Sequence, residues 1–243
     1  MSPGKVMTLD DMKPAIRQLL VALDFPHSEC HIVHTDLQLK NFLLPGPEPG
    51  YLSRFEEAEV TSPSPRKVLK DRTIYRSLGF LPQGGLPILA DFGEARFGDK
   101  EHIDDIMPNV YRAPEVILRS GWSYKMDIWN IARGAWDIVS LRTVIDGKNP
   151  NGVFDDRVHM AELVALLSPP PPKFREQKHL SSVFWDESGT WKEVVPIPDI
   201  TLESLAKTVE VEDKEGFCGG SGRPCNGTPR TGRRLWNHYT TSG

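Results

Sequence analysis

The 243-residue chain has only three cysteines, Cys30, Cys218 and Cys225. Their number is odd and their spacing fits neither a disulfide framework nor paired zinc ligands. This argues against a stapled secreted fold and points to a reducing compartment, cytoplasm or nucleus. No run of about 18 apolar residues occurs, so no membrane-spanning helix is expected. The opening "MSPGKVMTLDDMK" lacks the apolar stretch of a signal peptide. Basic residues are not in excess. Lys and Arg number 29 against 33 Asp and Glu, a formal net charge of −4, which argues against a general nucleic-acid binder. Internal repeats are absent as well. What is present is 39% apolar residues, enough for a sizeable core.

Met12, Ile16, Leu19, Leu20 and Leu23 recur at helical spacing. Asp10 or Asp11 is expected to cap this helix, with Pro14 in or near its first turn and Pro26 at its end. Ile32-Val33 and "FLL" at 42–44 read as short strands. Residues 45–86, rich in proline, glycine and charge, read as an insertion with at most a little local structure. "LPILA" reads as a buried strand running into "DFGEARFGD". "YKMDIWNIARGAWDIVSL" is apolar on nearly every side and predicts a core helix. "DDRVHMAELVALL" predicts a shorter amphipathic helix stopped by "SPPPP". Residues 218–243 are glycine-rich and aperiodic and read as a disordered or non-native tail. The tail cluster Arg230, Arg233 and Arg234 reads as part of an unstructured end rather than a nucleic-acid contact.

The first two strands enclose "HIVHTDLQLKNFLL", residues 31–44. Phosphoryl transfer needs hard oxygen ligands for magnesium, a group that orients the attacking hydroxyl, and positive charge on the phosphates. Asn41 and Asp91 offer such oxygens at the ends of predicted strands. Asp36, five residues before Asn41, offers an acceptor for a hydroxyl proton. Taken singly each has a plain alternative: Asp36 as a turn residue, Asn41 as a strand-end cap, "DFG" as a chance tripeptide. The ordered series, continued by "YRAPE" and by "DIW" at the start of the core helix, is far more specific.

This series resembles that of eukaryotic protein kinases. Threonine in "HTD", with "FEEAEVTSPSPRK", "RTIY", "MPNVYRAPEVIL", "WSYKMDIWN" and "ALLSPPPP", is similar to the SR-protein kinases and their fungal relatives over residues 9–217. The resemblance implies a mainly α chain of an α+β family. Residues 1–217 would form a partial kinase domain, a C-lobe with short β-strands around the catalytic loop. It implies ATP and Mg2+ as cofactors and a protein substrate, Arg-Ser-rich by family, with no membrane and no direct nucleic-acid contact. Residue by residue, Asp36 matches the catalytic aspartate, and Asn41 and Asp91 match metal ligands. Phe92 and Gly93 match the residues that set the backbone of Asp91. Tyr111 and Arg112 fall in the activation segment, Glu115 matches its salt-bridged anchor, and Asp127 matches the residue that holds the catalytic-loop backbone. Asp155 and Asp156, with Glu162 beyond them, are candidates for docking arginines. The plainer reading is an acidic helix start.

The pattern is also broken in places. Gln38 stands where the family has a lysine, and losing one preorganised stabiliser costs on the order of 10²–10³ in rate. Lys40, two residues on, shares a face with position 38 in extended backbone and is a candidate replacement. The alternative is a solvated surface charge. Pro108 stands in place of the threonine three before Tyr111. Nothing before Thr8 resembles a phosphate-covering N-lobe, and the family's last helices do not follow Phe217. Little activity is therefore expected of this polypeptide by itself. Arg112 and the tail arginines are candidate partners for Glu115. A non-catalytic module for basic Arg-Ser-rich partners is the competing reading.

Overall fold

The computed structural model describes residues 7–76, 87–100, 102–176 and 179–206. The tail 218–243 and its arginines lie outside the described residues. Thr8, rather than Asp10 or Asp11, caps the first helix, α1 (Leu9–Ser28). Its hydroxyl accepts the Asp11 N–H at 3.2 Å and donates to the Asp11 carboxylate at 2.7 Å. Both prolines lie inside α1, Pro14 beyond the first turn. Pro26 does not end the helix, because the Phe25 carbonyl still receives the Glu29 and Cys30 N–H groups at 3.0 and 3.3 Å. The turn out of the helix comes at His31, where φ is 52°. Met12, Leu19 and Leu23 are buried, whereas Leu20 is exposed.

The expected core helix forms as α4 (Lys125–Val139) and is buried on most sides, through Met126, Ile131, Trp136, Ile138 and Val139. Two apolar clusters join it to α1: Met12 with Trp136, Ile138 and Val139, and Leu19, Leu23 and Leu37 with Ile131. The short helix α3 (Pro114–Ile117) and the helix α5 (Asp156–Leu167) share another cluster with Ile145, Phe174, Phe184 and Trp185. α5 is capped by Asp155, and its exit is marked by Ser168 at φ 65° ahead of the proline run. Three short helices follow, α6 (Pro172–Glu176), α7 (Ser181–Phe184) and α8 (Leu202–Leu205). Among the described residues no helix is long and apolar enough to cross a membrane.

Strands are few, short and paired in twos. β1 (Ile32–Val33) runs antiparallel to β6 (Arg96–Phe97), and β2 (Phe42–Leu43) to β5 (Ile88–Leu89). The expected buried strand "LPILA" contracts to the two residues of β5, and Ile88 is 54% exposed. These two pairs bracket the catalytic-loop sequence and the DFG sequence.

The insertion holds more structure than its composition predicts. Pro49 at the first turn opens the 13-residue helix α2 (Pro49–Thr61), whose interior is rich in good helix formers. A hairpin follows, β3 (Arg66–Val68) with β4 (Thr73–Tyr75). Its turn is closed by the Leu69 N–H on the Arg72 carbonyl at 2.8 Å. Proline and glycine content marks where chains turn; it does not exclude local pairing between the turns. Residues 77–86 of the insertion lie outside the described residues.

Candidate active site

The site is built on one buried carboxylate. Asp127, in the first turn of α4, is 0% exposed and accepts the backbone N–H groups of His34 at 2.7 Å and Thr35 at 2.9 Å. The Nε2 of His27, from the last turn of α1, lies 2.8 Å from the same carboxylate. Thr35 is β-branched yet has φ 67°, a strained conformation that costs on the order of 1–3 kcal/mol. The Asp127 bonds, and the Thr35 hydroxyl donating to the Glu94 carbonyl at 2.8 Å, hold it there.

That turn presents Asp36. Gln38 donates through Nε2 to Asp36 Oδ1 at 2.5 Å. Asn41 donates through Nδ2 to the Asp36 carbonyl at 2.7 Å and to Oδ2 at 3.0 Å. Gln38 therefore keeps the positioning contact of the missing lysine without its charge. The extended-backbone argument for Lys40 does not hold, because Leu39–Asn41 is a single 3-10 turn. Lys40 instead reaches Asp36 Oδ2 from the next turn, at 3.9 Å and with a 64% exposed side chain, a contact weakened by solvent.

Asn41 is buried, and its amide nitrogen is spent on Asp36, which leaves Oδ1 as the atom able to face a cation. The Ala90 N–H donates to the Asn41 carbonyl at 3.0 Å, one step beyond the β2·β5 register, so Asn41 and Asp91 emerge from neighbouring strand ends. Asp91 is exposed and left-handed, with φ 67°. A Cβ on Gly93 would stand 3.3 Å from Asp91 Oδ1, so the residue after Phe92 must be small for the carboxylate to keep this position. An amide oxygen and a carboxylate are hard donors of the kind magnesium takes, an ion that uses few protein ligands and completes its shell with water and phosphate oxygens.

Two histidines join this arrangement without having been singled out by sequence. His34 Nε2 lies 3.0 Å from the Ala90 carbonyl, and its Nδ1 accepts the Asp36 N–H at 3.4 Å, which assigns the proton to Nε2. Its ring also packs on Phe92 at 4.6 Å. His34 thus ties the Asp36 turn to the Asp91 turn. The signal for it was the first letter of "HTD"; His27 left only the polarity of a helix end.

The activation-segment candidates lie along a different surface. Tyr111 donates to Asp137 Oδ2 at 2.5 Å, and burial, reinforced by that carboxylate, raises its pKa well above the ordinary range. Arg112 does not pair with Glu115. Its Nη1 binds both oxygens of Asp156, at 2.8 and 3.0 Å, and its Nη2 binds Asn109 Oδ1 at 2.9 Å. α5 brings Asp156 to it, an approach that adjacency in sequence does not reveal. Glu115 is buried at 5% exposure. Asp155 accepts the Arg157 backbone N–H at 2.9 Å and is clasped by the Arg157 guanidinium at 2.7–3.2 Å. Both acidic docking candidates are thus already engaged within the chain.

The sequence has counterparts among known proteins. The sequence pattern of the protein kinase domain matches residues 1–188. A serine/threonine protein kinase of Aspergillus fumigatus is 39% identical over 213 residues, 86% of this chain and 51% of its own length. The serine/threonine-protein kinase SRPK of Physarum polycephalum is 27% identical over 77% of this chain and 49% of its own. The human dual specificity protein kinase CLK1 is 28% identical over 86% of this chain and 39% of its own. The chain thus spans about half the length, or less, of these relatives. With the motifs in register, the fold around them mainly helical and the pattern matched over most of its length, the chain belongs to the protein kinase family, with relatives of the SRPK and CLK type.

Proposed function

We propose that this chain carries the catalytic-loop half of an SR-protein-kinase-like serine/threonine kinase. Residues 1–217 form the C-lobe part of the domain, and residues 45–86 are an insertion. The observation that carries the reading is the Asp36 carboxylate, held by Gln38 and Asn41 beside the strand end that bears Asp91. ATP with Mg2+ supplies the transferable phosphoryl group and its charge neutralisation. Asn41 Oδ1 and the Asp91 carboxylate would hold the metal. Asp36 orients the serine or threonine hydroxyl of a protein substrate and accepts its proton as the new O–P bond forms and the bond from the γ-phosphorus to the bridging oxygen of ATP breaks, with ADP as the leaving group. Gln38 fixes the Asp36 rotamer, and Lys40 contributes a distant positive charge. The names of the SRPK-type relatives favour an Arg-Ser-rich substrate, met in cytoplasm or nucleus.

Asp36, Asn41 and Asp91 are one part of a site in which further phosphate-binding groups of a kinase domain share, because positioning supplies most of the catalysis in this chemistry. The competing reading, a non-catalytic module for basic partners through Asp155 and Asp156, is disfavoured because Arg157 and Arg112 already occupy those carboxylates.

A fusion to the N-terminal half of the Aspergillus fumigatus relative, assayed on an Arg-Ser peptide, tests the proposal. Activity should appear, and Asp36→Asn and Asp91→Ala should each reduce it by roughly 10²-fold or more. Gln38→Lys should raise it. A fusion that binds ATP yet transfers nothing, or activity indifferent to Asp91→Ala, removes the reading.

A further inference from the structure

The insertion between β2 and β5 carries a feature that the core does not need. Its hairpin sets Arg66 opposite Tyr75, Lys67 opposite Ile74 and Val68 opposite Thr73. The Arg76 N–H on the Pro65 carbonyl extends the ladder at 2.8 Å. From Arg66 to Arg76 there are five cations, Arg66, Lys67, Lys70, Arg72 and Arg76, against one carboxylate, Asp71. Asp71 lies 3.7 Å from Arg72, and Arg66 lies in the field of Glu59. Among the described residues Lys67, Lys70 and Arg76 form no ion pair.

The alternation of the pleat places Lys67, Arg72 and Arg76 on one face around Ile74, which is 47% exposed. The other face shows Val68 at 74% and Tyr75 at 59% exposure, with the Arg66 guanidinium 5.9 Å above the Tyr75 ring. A two-stranded hairpin is marginal by itself, and clustered like charges weaken it further. Cations and apolar groups gathered here work against the hairpin's own stability, so their use lies in contact with something else. Both outer edges of this two-stranded sheet lack a neighbouring strand among the described residues.

We propose that β3–β4 is a docking site for an acidic, extended protein segment. The segment adds along a free edge as a third strand. Main-chain hydrogen bonds supply affinity, and alternate carboxylates meet Lys67, Arg72 and Arg76 around Ile74. Charge distribution selects a peptide over a nucleic-acid strand. The cationic patch is no longer than the hairpin, so it matches a strand-length peptide and offers a longer phosphate backbone no further cations to bind. The insertion leaves β2 and re-enters β5, the strands next to Asn41 and Asp91, so a docked partner is joined to that site through the chain. The docking itself does not depend on the kinase chemistry proposed above.

The test is a fluorescence-anisotropy titration of the full chain with a labelled, strand-length peptide of alternating Glu and Val. Saturable binding that weakens with salt is expected. The triple variant Lys67→Glu, Arg72→Glu, Arg76→Glu should weaken it by about tenfold or more, about 1.4 kcal/mol. Lys13→Glu with Lys173→Glu, exposed charges elsewhere, should leave it unchanged. A peptide with proline at every second position, which lacks those N–H donors, should bind worse. No binding, equal binding by the triple variant, or tighter binding of an oligouridylate lost in the same variant each overturns the proposal. The single variant Lys67→Ala decides the matter if the triple variant does not fold.

Discussion

Asp127 satisfies three donors with two oxygens, and all three come from segments far from it in sequence. Asp127→Ala leaves the buried N–H groups of His34 and Thr35 without an acceptor and releases the strain at Thr35. Each orphaned group costs about 1–3 kcal/mol, so urea denaturation should show a loss of about 2–5 kcal/mol. His159 offers a second residue-scale prediction. It is 0% exposed, and burial, reinforced by Arg133 and Arg112, lowers its pKa to about 3. The folded value lies below the ordinary 6.5, so the unfolded chain takes up a proton that the native fold refuses. Its contribution is whole above about pH 6.5 and is lost progressively as pH falls towards 3. Between pH 7 and pH 5 this amounts to about 2 kcal/mol from this residue. The stability difference between the natural chain and His159→Met, followed by urea titration across that range, should shrink or reverse accordingly.

At the scale of elements, segments are held by a few contacts at their ends. β6 is followed by Gly98, whose N–H donates to the His31 carbonyl at 2.6 Å. A Cβ at Gly98 would collide with the Tyr124 ring, which precedes α4 and packs on His27 at 4.8 Å. Gly98→Ala should displace that ring and cost about 1–3 kcal/mol, read from the urea midpoint. A change in near-ultraviolet circular dichroism should accompany it. The stretch before Tyr111 is secured in the same manner: the His102 ring stacks on Trp122 at 4.5 Å, and the Trp122 indole donates to the Asp104 carbonyl at 3.0 Å.

At the scale of the whole molecule, stability is concentrated away from the insertion. α1, α4 and α5 bury the apolar clusters, whereas β3 and β4 are exposed on both faces. Replacing residues 63–76 by a short Gly-Ser linker should therefore cost under about 1 kcal/mol and shift the thermal midpoint by no more than about 4 °C. Leu163→Ala, at a 1% exposed position in the α3–α5 cluster, should cost about 2–5 kcal/mol. A large loss from the linker exchange would mean that the hairpin braces the core.

Residue order alone determined the family, the positions Asp36, Asn41, Asp91 and Asp127 within its motifs, and the burial of α4 on most sides. These are legible because the motifs are local and the apolar periodicity of a helix is written along one segment. The tertiary structure alone decided that Thr8 caps α1, that Gln38 rather than Lys40 grips Asp36 at close range, and that Arg112 is taken by Asp156. It alone brought His27 and His34 into the site and ordered the insertion into a helix and a hairpin. The reason is physical: a charged or polar side chain binds whichever complementary group the folded backbone delivers within about 3 Å, and that delivery depends on packing between segments distant in sequence.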